Sequence, residues 1–122
     1  MAKRDIRMSD DEIARFLAAQ STATVIGSPP SGAPSAAVGR LEYDDGAVAF
    51  SVHDDDPVVA LLADDDRTCC VVEQFPSYYE IAGVMLHGRA RRRDAAAPGE
   101  ATFDLAVEKV VSFDFAKLRD VS

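Results

Sequence analysis

The segment SAAVGRLEYDDGAVAFSV constrains the fold more than any other part of this chain. Two runs of alternating, β-favouring residues, 35–43 and 47–52, flank Asp44, Asp45 and Gly46. A Gly-containing acidic turn between two such runs is a hairpin signal, because tight hairpin turns need positive φ. An antiparallel meander follows from it, and the neighbouring segments extend it. Residues 22–26 are β-rich and end in the turn-forming SPPSGAP. Residues 68–73, 77–93 and 103–115 supply three more candidate strands, the second long or bulged near Gly83.

Two short helices interrupt this pattern. Ser9 has the spacing of an N-cap, with Asp10, Asp11 and Glu12 in the first turn and Ile13, Phe16 and Leu17 on one face. Asp56 caps a second helix with Pro57 at its first position, too short to stand without tertiary packing. The expected architecture is mainly β: a six-stranded antiparallel barrel with short flanking helices, in which closure removes exposed sheet edges. A sandwich is the alternative. At 122 residues the chain is one domain, 1–122.

Composition narrows the function classes. A net charge of −8 opposes nonspecific nucleic-acid binding, which depends on cations neutralising phosphates. No apolar run reaches the ~20 residues of a membrane span, so no membrane partner is expected and the default compartment is the cytoplasm. Cys69 and Cys70 are adjacent in a strand and face opposite ways, which makes a disulfide between them strained. They read as small hydrophobes, and with His53 and His87 they form no metal-ligand spacing, so no metal site is assigned.

Four segments in order, MSDDEIARFLAAQSTATVIG, APSAAVGRLEYDDGAVAFSV, CCVVEQFPSYYEIAGVMLHGRA and EKVVSFDFAKL, resemble the pyridoxamine 5'-phosphate oxidase-like, FMN-binding split-barrel family, including its actinobacterial flavin- and deazaflavin-dependent members. The resemblance implies a homodimer with cofactor clefts at the interface, FMN or a deazaflavin as cofactor, and a small planar substrate. It places the flavin ring at Val38, Gly39 and Arg40. The phosphate falls at Ser51, Val52, His53 and Asp54, leading into Val58, and Gln74 and Phe75 fall near the ring. No catalytic side chain is assigned, since the cofactor carries the chemistry in such proteins.

One feature departs from that pattern. Where Arg or Lys is expected beside the phosphate, this chain has Asp54, Asp55 and Asp56, which repel an anion. A second triplet, Asp64, Asp65 and Asp66, follows the helix. Arg89, Arg91 and Arg93 share a strand face, with Arg92 on the other, and either supply the missing cations or pair with the aspartates. The reading is therefore a flavin- or deazaflavin-dependent oxidoreductase with an acidic phosphate site. The alternative is a cofactor-free or non-flavin ligand-binding protein on the same dimeric fold, haem included, with His53 or His87 as axial ligand.

Overall fold

The computed structural model describes residues 5–28, 32–75 and 80–118. Helix α1, Asp10–Ala18, opens with the expected capping box, Ser9 and Glu12 each bonding the other's backbone N–H. Strands β1 (Thr22–Gly27), β2 (Ser35–Asp44) and β3 (Ala47–His53) form the meander. At the β2–β3 turn Asp45 has φ 47° and Gly46 φ 87°, the two positive values of a primed hairpin turn. Helix α2 (Pro57–Asp64), capped by Asp56, leads to β4 (Arg67–Gln74), β5 (Ala82–Arg93) and β6 (Glu100–Asp114), and a 3-10 turn spans Phe115–Leu118.

All neighbouring strands pair antiparallel, and the sheet closes in the order β1-β2-β3-β6-β5-β4. The barrel, not the sandwich, is the outcome. Alternation sends Val25, Leu41, Phe50, Val52, Cys70, Val72, Val84, Leu86, Phe103 and Leu105 inward. Phe50 and Phe103 lie opposite each other across β3 and β6, their rings stacked at 5.2 Å. Leu17 of α1 and Val58, Val59 and Leu62 of α2 join this core, which explains how two short helices persist.

Two local expectations change. The fifth strand begins at Ala82, and its register shift falls between His87 and Gly88 rather than near Gly83. Gly83 pairs regularly, and the Phe113 ring fills the space its side chain would take. On β2, Ala36 and Val38 face outward, Val38 at 73% exposure, because the inward positions are Ala37, Gly39 and Leu41.

Among the described residues no helix is long and apolar enough to cross a membrane. Cys70 is buried, and burial pushes its thiol up to about 12. Cys69 is partly exposed on the outer face, and both are free thiols.

Candidate functional site

Strand pairing brings six of the ten candidate residues into one place. Val38, Gly39 and Arg40 from β2 and Ser51, Val52 and His53 from β3 line an open groove of about 440 Å³, with Ser21, Thr22 and Glu100. Gly39 is an inward position of β2, where a side chain would meet the Ser51 carbonyl oxygen at 2.7 Å and a Val52 methyl at 3.0 Å, so its glycine lets β2 and β3 pack closely beneath the groove. Val38 stands exposed at the groove as an apolar surface. Behind it, buried Ser51 and Thr102 share a hydroxyl–hydroxyl hydrogen bond of 2.8 Å, and Thr102 also accepts from the Ala96 N–H at 3.1 Å. No buried side-chain nitrogen or oxygen among the described residues lacks a partner.

Arg40 is the cation of this groove, and it is already engaged. Its guanidinium meets Glu100 at 2.7 Å and Glu42 at 2.8 Å, and approaches the Ser51 hydroxyl at 3.5 Å. Those two carboxylates, Glu100 first, push its pKa further up. Glu42 also receives Arg93 at 2.9 Å, and Arg93 reaches Asp104 at 3.3 Å. The outer face of β2, β5 and β6 therefore carries a network in which Glu42, Glu100 and Asp104 answer Arg40 and Arg93.

The remaining candidates lie elsewhere. Asp54 follows His53 in the turn to α2. The Val58 side chain is fully buried in the core, so only its backbone could face a ligand. Gln74 accepts a hydrogen bond from Gln20 at 3.2 Å and lines a separate depression with Met8, Glu12 and Phe16, while Phe75 is 63% exposed. Within one chain neither joins the groove. His53 and His87 lie in different depressions, and among the described residues no cluster of His, Cys, Asp and Glu is arranged to hold a metal ion. Tyr78 and Tyr79 lie outside the described residues.

The two aspartate triplets have different fates. In the second, Asp65 takes both the Nε and Nη2 of Arg67, the latter at 2.7 Å, and Asp66 meets Arg89 at 2.7 Å. The Arg67 hydrogen bonds hold the Asp65 carboxyl down at about 2. This triplet closes α2 and ties β4 to β5. In the first, Asp56 accepts the Val58 N–H at 2.9 Å, whereas the carboxylates of Asp54 and Asp55 have no partner among the described residues.

The phosphate end of a flavin nucleotide does not fit this turn. Pro57 has no N–H, Val58 donates to the Asp56 side chain, and Val59 donates to the Asp56 carbonyl at 3.0 Å. The N–H groups of Asp54 and Asp56 are bonded to the carbonyls of Gly99 and His53. Among the described residues of this turn an anion would find one uncommitted N–H, that of Asp55, beside two carboxylates without a described partner.

Sequence reasoning did not find Ser21, Thr22, Glu42, Glu100 or Thr102. Glu100 and Thr102 reach the site only because β6 pairs with β3, opposite His53 and Ser51, and nothing local to them signals it.

The closed antiparallel barrel with two short helices matches the split-barrel fold, and the solved structures similar to it include proteins described as pyridoxamine 5'-phosphate oxidase-type and flavin-binding. Conserved hypothetical protein Rv2991 from Mycobacterium tuberculosis superposes with a TM-score of 0.82 at 18% identity, over 100% of this chain and 94% of that one. An FAD-binding protein from Mesorhizobium loti gives 0.72 at 13% identity, over 88% and 95%. A pyridoxinephosphate oxidase-family protein from Clostridium acetobutylicum, related to general stress protein 26 of B. subtilis, gives 0.65 at 15%, over 85% and 92%. No family model matches the sequence, and no curated protein matches it.

Proposed function

We propose that the groove holds a flat heteroaromatic ligand of the flavin class, and that the protein is a small oxidoreductase using that ligand as its redox group. The observation that carries this reading is the meeting of Val38, Gly39 and Arg40 with Ser51, Val52 and His53 in one groove of about 440 Å³. Exposed Val38 offers a ring an apolar contact, and a few polar groups around it set orientation. The protein's own contribution would be binding, orientation and exclusion of water.

The working unit in this reading is a homodimer. Outward-facing Ile26 and Cys69, and beside them Val71, Met85 and Val111, stand opposite one another on adjacent strands and form a continuous, largely apolar outer wall. These side chains are only partly buried in a single chain. A second copy would cover them, as obligate interfaces cover apolar surface.

The test is fluorescence titration of the purified protein with riboflavin, FMN and a deazaflavin, run beside a haem titration. Saturable quenching of any one flavin-class ligand, lost on Val38→Asp with the circular dichroism of the barrel retained, is the expected result. Absence of binding to all of them would sink the reading. A Soret shift with haem alone would replace it with the haem-binding alternative.

A further inference from the structure

The geometry points to a groove that selects its ligand by charge: it takes a flat heteroaromatic whose side arm ends in hydroxyl groups, and rejects the same molecule once that arm carries a phosphate. The inference rests on the flavin-class reading above and specifies the substrate class for the same site. Three independent observations carry it. Arg40, the cation of the groove, is shared between Glu100 at 2.7 Å and Glu42 at 2.8 Å, so an incoming anion must displace a carboxylate to reach it. The backbone donors of the turn before α2 are spent on Asp56, His53 and Gly99, and among the described residues only the Asp55 N–H of that turn has no partner. Asp54 and Asp55 are outside the groove lining but follow its residue His53 directly, at the groove's end, and present exposed carboxylates that no described residue neutralises.

The same groups that repel a phosphate accept hydrogen bonds. An ionised carboxylate offers acceptor sites only, and a hydroxyl-bearing arm supplies the matching donors without bringing charge. A phosphate ester brings about −1.5 to −2 charge at neutral pH against two bare aspartates. The second aspartate triplet has no such effect, because Arg67 and Arg89 already answer it.

Riboflavin and FMN differ by that one phosphate, so their comparison isolates the effect. Wild-type protein, titrated with each at low salt and pH 7.5 by fluorescence quenching, is expected to bind riboflavin roughly tenfold more tightly than FMN or better. Raising the ionic strength should narrow the gap, since salt screens exposed charges. The double variant Asp54→Asn with Asp55→Asn should narrow it at low salt, and Glu100→Gln, which removes one of the two carboxylates holding Arg40, should do so separately. All three positions are at the surface, and a melting curve verifies that each variant is folded.

FMN binding as tightly as riboflavin, or more tightly, overturns the charge selection and leaves the flavin-class reading standing. A gap that survives both the double variant and Glu100→Gln also overturns it, by removing the groups held responsible. If neither ligand binds, the flavin-class reading falls and this inference falls with it.

Discussion

Arg40 on β2 reaches over Ser51 of β3 to place its guanidinium 2.7 Å from Glu100 on β6, so one side chain spans three adjacent strands. The contact is partly exposed, and exposed ion pairs contribute little to stability. Glu100→Gln should therefore lower unfolding free energy by no more than ~1 kcal/mol in urea denaturation. A loss well above that would mean the network holds the barrel together rather than tuning the groove.

The Ser51–Thr102 hydroxyl pair is a stricter constraint, because both groups are buried and bonded at 2.8 Å. Thr102→Val leaves the Ser51 hydroxyl and the Ala96 N–H without their partner and should cost roughly 1–3 kcal/mol. Adding Ser51→Ala should cost less than the sum of the two single changes, since it removes one orphan. Strict additivity in this cycle would show that the hydroxyls do not depend on each other.

Acid sensitivity should trace to the clamp between α1 and the final 3-10 turn. The Lys117 hydrogen bond, and after it the Ser9 backbone N–H, hold the Glu12 carboxyl down from 4.5 to about 2. A carboxyl whose folded value is depressed adds stability above its unfolded pKa and loses it as pH falls through the folded one. The clamp should thus act fully above about pH 4.5 and weaken from there toward pH 2. Melting temperatures of wild type and Glu12→Gln should differ at pH 7 and converge below pH 2. A constant difference across that range would exclude the linkage.

The apolar outer wall makes its own prediction. Met85→Asp, opposite Val71 and Val111, should shift the protein from dimer to monomer in sedimentation velocity with the barrel's circular dichroism retained. A wild-type monomer, or a variant still dimeric through this face, would remove the proposed interface.

The elements of the fold were legible where their determinants are local. Ser9 with Glu12, Asp56 with Pro57, and Asp45 with Gly46 each carry their signal within a few residues, and each formed as expected. What was not legible depends on residues distant in the chain. Neither the partner of Arg40 nor the pairing of Asp65 and Asp66 with Arg67 and Arg89 can be deduced before the strand order is known. The same holds for Gln74, which the sequence places just after the expected strand 68–73 but only the closed barrel places beside Gln20. The register shift lies between His87 and Gly88, where the Ala106 backbone leaves no room for a side chain, rather than at Gly83, where the Phe113 ring takes the side chain's place.

The strand order also bears on how the chain reaches this state. Strand β3 ends at His53, yet its outer partner β6 does not begin until Glu100. At a synthesis rate of roughly 5–20 residues per second, the nascent chain carries an unpaired β3 edge for seconds before its partner emerges. During that interval the edge can recruit any extended segment of another ribosome's product. Slower growth at low temperature lengthens the wait in proportion, so the yield of soluble protein should depend on chaperone supply more than on the stability of the finished barrel.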